Sequence, residues 1–104
     1  MVQETIDLRK LQSLLVQGEI LAEDIDSVIR SGDKPNSSKY EWSDYTGWQT
    51  SAIRFIRESD ESLLQSVKWL DLGAQSSNEH RAAISSTILA LNTLAALAKN
   101  LSSS

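Results

Sequence analysis

Apolar residues recur along the first part of the chain at Leu8, Leu11, Leu15, Ala22, Ile25 and Ile29, with Gly18 standing where the three-four alternation would place another. This spacing keeps them on one face of an α-helix. Leu14, Leu21 and Val28 repeat beside that seam and widen it into the broad stripe of a helix in a globular bundle, wider than a two-stranded coiled coil requires. The pattern predicts a helix over 5–30, with Thr5 as N-cap and Ser31-Gly32 followed by Pro35 as its stop. Glycine inside a helix costs about 1 kcal/mol relative to alanine, so Gly18 on the apolar seam points to the close approach of a neighbouring helix.

Residues 31–38 carry no apolar side chain and concentrate turn formers, which marks a loop. A second helix is predicted over 40–57, with Trp42, Tyr45, Trp48, Ala52, Phe55 and Ile56 along one flank. Glu58-Ser59-Asp60-Glu61 supplies acceptors for a new helix start, and a third, shorter helix is expected over 60–73. On it Leu63, Leu64, Val67 and Leu70 face inward, Trp69 lies off the stripe, and Gly73 marks the end.

Ser76 and Glu79 match a capping box, and a fourth helix is expected over 77–101. From Ala82 to Ala98 there is no charged residue, and Ile84, Ile88, Leu89, Leu91, Leu94, Leu97 and Leu101 occupy nearly every face. Such a helix is either the central element of its bundle or packs partly against another chain. The whole chain, 1–104, then reads as one all-α domain: a four-helix bundle of unequal helices, mainly antiparallel, with long first and fourth members.

Ten Lys and Arg against fourteen Asp and Glu leave a formal charge of −4, so no general basic field exists to hold nucleic-acid phosphates. The chain has no cysteine, which removes disulfides, thiolate metal sites and thiol nucleophiles and agrees with a reducing compartment. No signal-like succession opens it, and no uninterrupted apolar run approaches the roughly 18–20 residues of a membrane span. The expectation is a soluble, cytoplasmic protein with no nucleic-acid or membrane partner.

Chemistry finds little foothold. Glu19, Glu23 and Asp26, with Asp24 adjacent, share a helix face that reads first as solvated and second as a partner-binding stripe. Without a Glu-x-x-His or His-x-x-x-His pair, no metal site and no cofactor are expected. His80 is the single histidine, and its hydroxyl-bearing neighbours follow from the abundance of serine and threonine, so no catalytic residue is assigned and the reading is non-enzymatic. Arg54 and Arg57, grouped with Trp48 and Trp69, form the one basic-aromatic set, and they carry the alternative reading of a receptor or sponge for a small nucleotide ligand. No glycine-rich phosphate loop accompanies them.

The leading expectation is a noncatalytic module for protein-protein interaction or oligomerisation. Its candidate contacts are Tyr40 and Trp42 as aromatic anchors at the bundle rim, with Trp48 and Phe55 inside, and Ile84, Ile88, Leu91, Leu94 and Leu97 on the uncharged helix.

Three stretches carry a resemblance. They are Leu11-x-x-Leu14-Leu15-x-x-Gly18-Glu19-x-Leu21, Trp48-x-x-x-Ala52-x-x-Phe55-Ile56, and the small-and-leucine helix from Ala83 to Leu97. In this order they resemble the helical segments attached to bacterial antiphage-defence and signalling proteins. The resemblance implies an accessory or adaptor unit beside a nuclease, TIR-type or nucleotide-binding effector. It implies no catalytic or ligand residue.

Overall fold

The computed structural model describes residues 7–31, 42–70 and 77–103. These residues are helical almost throughout: α1 (Leu8–Ser31), α2 (Trp42–Asp60), a 3-10 helix (Glu61–Ser66) and α3 (Ser77–Ser103). The two longest, α1 with 24 residues and α3 with 27, are the first and last, as the hydrophobic pattern predicts.

Helix α1 begins at Leu8, three places after the expected start. Asp7 caps it, its carboxylate accepting from the Lys10 N–H at 3.1 Å while its carbonyl accepts from Leu11 at 3.0 Å. Thr5, loop residues 32–38 and the Ser76 half of the capping box lie outside the described residues.

The direction of packing follows from a few contacts. Gly18 of α1 lies against Ile88, and Asp26, two turns later, pairs with Arg81, so α1 and α3 run antiparallel. On its other flank Lys10 sits 5.8 Å above the Phe55 ring and Asp24 accepts from the Tyr45 hydroxyl, so α2 is antiparallel to α1 as well. Helices α2 and α3 therefore run in the same direction. Leu11, Leu21, Ala52, Ile56, Ile84, Leu91 and Leu94 fill the space between the three helices and are almost wholly buried.

Over residues 61–70 the third α-helix expected for 60–73 is replaced, and Gly73, its expected end, lies outside the described residues. Helix α2 continues through Ser59 to Asp60, where an extended backbone lets the side chain accept from the Ser62 N–H at 3.2 Å and the Ser62 hydroxyl at 2.5 Å. The acidic turn does start a new element, yet that element is a single 3-10 stretch. At Val67 the backbone is extended (φ −82, ψ 130); its N–H donates the closing 3-10 bond to the Leu64 carbonyl at 3.1 Å, and 67–70 is not helical.

The cause lies elsewhere in the fold. The Gln49 amide, 1% exposed in the core face of α2, donates to the Lys68 carbonyl at 2.7 Å and accepts from the Leu70 N–H at 2.8 Å. Ser86 of α3 accepts the Lys68 N–H at 2.8 Å. Side chains on two flanking helices thus take the backbone groups a third helix would have bonded internally. Leu63, Leu64, Val67 and Leu70 still pack against the core as their spacing implied, and Trp69 points away from it.

Candidate functional site

Helix α3 buries one side and exposes the other. Ile84, Thr87, Leu91 and Leu94 have no exposed surface, with Ala83, Ala90 and Ala98 beside them on the face turned to α1 and α2. Ala82, Ser85, Leu89, Asn92 and Ala96, spaced three and four apart, face outward. On this uncharged outer side Leu89 is 63% exposed and Leu97 40%. A leucine side chain contributes roughly 1.5–3 kcal/mol when fully buried, so Leu89 is an unspent contact.

The stretch Asn78–Lys99 passes, by length and composition, for a membrane-crossing helix despite its polar interruptions. Its inner flank is buried against α1 and α2, as in the core helix of a bundle.

Beside this face runs a groove of about 370 Å³ lined by Glu19, Ala22, Glu23 and Asp26 of α1 and by Arg81, Ser85, Ile88, Leu89 and Asn92 of α3. Helices α1 and α3 form two such grooves. Tyr45, Trp48 and Ile56 of α2 fill one, and this is the other. Its floor is Ala22 and Ile88, and its rims are carboxylates on one side and Leu89 with Asn92 on the other. Arg81 closes one end, donating through Nε to Asp26 at 2.9 Å and through a guanidinium nitrogen to the Ser85 hydroxyl. Both partners of that ion pair keep substantial solvent contact, so it fixes register more than it adds stability.

The remaining member of the acidic group, Asp24, turns the opposite way. It is buried against α2, where the Tyr45 hydroxyl donates to it. The four carboxylates therefore separate: one serves the core, one an ion pair, and Glu19 and Glu23 face solvent along the groove. Among the described residues no cluster of three or more His, Asp or Glu is placed to hold a metal ion.

Several sequence-derived contacts are corrected by burial. Ile84, Leu91 and Leu94 are interior to this chain and have no surface to offer a partner. The uncharged helix carries enough leucine for two faces, and periodicity alone does not say which face its own neighbours cover. Ile88 is partly buried and forms the groove floor, while Leu97 is available on the surface. Tyr40 lies outside the described residues, and of Trp42 only its backbone place at the start of α2 is described.

The basic-aromatic set does not converge. Trp48 is in the core, its indole N–H donating to the Leu14 carbonyl at 2.8 Å and its ring pressed on Gly18. Arg54 is exposed on the opposite side of α2, and Arg57 lies over a shallow depression with Glu61, Ser62, Leu64 and Gln65. Trp69, 59% exposed, sits on the extended segment beside α3. A ring with no accessible face cannot stack a base, so Trp48 is withdrawn from the ligand set, while Trp69 keeps an accessible ring. His80 is half-buried in the first turn of α3.

Leu89 is the surface residue that the pattern underweighted. A signal was available: its neighbours at three and four positions, Ser85, Ser86, Asn92 and Thr93, are all polar, which marks the stripe turned to water. No family model, no curated protein and no solved structure matches the chain.

Proposed function

We propose that this chain is a noncatalytic helical module that works by protein-protein contact through the outward side of α3. Its fold is read as an all-α bundle of three α-helices, with the Glu61–Ser66 3-10 turn in the place of the short fourth member expected from the sequence. Its place is the cytoplasm, consistent with the absence of cysteine, and its role is the adaptor or oligomerisation unit that the resemblance to bacterial defence proteins implies. The carrying observation is the pairing of Leu89, 63% exposed, with an outer helix face that holds no charge from Ala82 to Ala98. A surface helix that faced only water would carry charged residues there.

The test is co-purification with light scattering on the wild-type chain and on Leu89→Glu/Leu97→Glu. The wild type brings down a stoichiometric partner or a second copy, and the variant loses it while keeping its helical content and melting temperature. A wild-type chain that is monomeric at high micromolar concentration and carries no partner from its source cells overturns the reading, as does a partner indifferent to both substitutions.

A further inference from the structure

We infer that the α1–α3 groove receives a basic amphipathic helix from a different protein, with an apolar side chain seated on Ala22, Ile88 and Leu89 and Lys or Arg side chains set against Glu19 and Glu23. The inference rests on the docking reading and adds the chemistry of the partner. The lined stretch, from Glu19 to Asp26 on one wall and from Arg81 to Asn92 on the other, is two to three helical turns long, so a helix of about 11 residues, some 16 Å, spans it.

Charge complementarity selects the partner. Glu19 and Glu23 are one turn apart on the rim, exposed, and in no ion pair among the described residues. Among the described residues the groove has one cation, Arg81, and it is already turned to Asp26. An apolar strip bordered by two uncompensated carboxylates fits a helix with apolar residues at three- and four-residue spacing and cations flanking them.

A second copy of this chain fits less well. The outer face of α2, which carries Arg54 and Arg57, offers Ser43, Asp44, Gly47, Thr50 and Ser51 besides, and among the side chains described there is no large apolar residue to anchor. Of the exposed apolar residues of α1, Val16 and Ile20 stand beside Glu19 and Glu23 and would bring carboxylate to carboxylate, while Leu8, beside Arg9 and Lys10 in the first turn, is a single anchor rather than a stripe. Net charge −4 adds to that repulsion.

Fluorescence anisotropy of two labelled 14-residue helical peptides, alike in leucine placement but carrying Lys in one and Glu in the other, tests this on the full chain. The Lys peptide binds with a dissociation constant on the order of 10 µM, as a small interface allows, and the Glu peptide does not bind. Glu19→Gln/Glu23→Gln weakens the Lys peptide about fivefold to tenfold and flattens its salt dependence. Leu89→Ser weakens it by a comparable factor, whereas Glu58→Gln/Glu61→Gln, remote from the groove, leaves it unchanged. Unaltered melting temperatures show that each variant folds.

Equal loss in the remote and groove variants, or equal binding of both peptides, overturns the inference. So does absence of Lys-peptide binding, with two distinguishable cases. If a partner or second copy still depends on Leu89 and Leu97, the docking reading stands and only the basic-helix occupant falls. If no such association exists, both fall together.

Discussion

Gly18 and Trp48 occupy each other's space: a Cβ on Gly18 would lie 2.4 Å from Cζ2 and 3.0 Å from Cε2 of the Trp48 ring. The indole cannot easily retreat. Its N–H is bonded to the Leu14 carbonyl, four residues before Gly18 on the same helix, and Ile88 of α3 sits behind, 3.2 Å from the same Cβ position. One missing methyl group thus lets α1, α2 and α3 meet at a single point.

Gly18→Ala is therefore expected to lower stability by about 1–3 kcal/mol, even though alanine favours the helix by about 1 kcal/mol, because overpacking outweighs propensity. Combined with Trp48→Phe, the loss should fall short of the sum by at least about 0.5 kcal/mol, since the smaller ring relieves the clash. Urea unfolding of the four species of the cycle measures this. Additive losses would show that Gly18 and Trp48 act independently.

Gln49 is the second point of convergence. Its amide also donates to Thr87 at 3.0 Å, so α2, α3 and the 67–70 segment share one buried side chain. Gln49→Met preserves volume but strands the Leu70 N–H and the Lys68 carbonyl, at a cost of about 2–4 kcal/mol. Gln49→Glu is expected to be worse at neutral pH, because it removes both donated bonds and buries a charge. Limited proteolysis should cut either variant within 67–70 before the helices. Cleavage elsewhere first would mean that the segment is not held by this amide.

Leu89 and Leu91 lie two residues apart on opposite sides of α3. Leu91→Ala leaves a cavity in the core and should cost about 2–5 kcal/mol, whereas Leu89→Ala should change stability by no more than about 0.5 kcal/mol. Thermal or urea melts separate the two directly. Equal losses would indicate that Leu89 is covered within the folded chain in solution, and the proposed contact face would disappear with it.

Arg81→Gln removes the Asp26 ion pair at the end of the groove. With both partners partly exposed, the expected loss is below about 1 kcal/mol and shrinks further in 1 M salt. A loss of several kcal/mol, insensitive to salt, would give Arg81 a structural weight that its geometry does not support.

The helices themselves were legible in the chain. The Leu11, Leu14, Leu15, Leu21, Ala22, Ile25 and Val28 stripe is the buried face of α1, Trp48 and Phe55 are interior, and Gly18 is a contact point, because a period of 3.6 residues and the cost of glycine are properties of local sequence. Even the off-stripe position of Trp69 survived the change of its segment from helix to extended chain, since burial depends on neighbouring apolar residues more than on the exact backbone path.

Tertiary structure alone decided the rest. Whether 60–73 would be α-helical depended on Gln49 and Ser86, distant in sequence and indistinguishable there from ordinary polar residues. Which leucines of the uncharged helix belonged to the core depended on where α1 and α2 lie, and that placement sent Leu91 and Leu94 inward and left Leu89 outside. Local pattern determines what each segment can form, because backbone bonding and side-chain period act over a few residues. The surface left for function depends on which faces long-range packing covers.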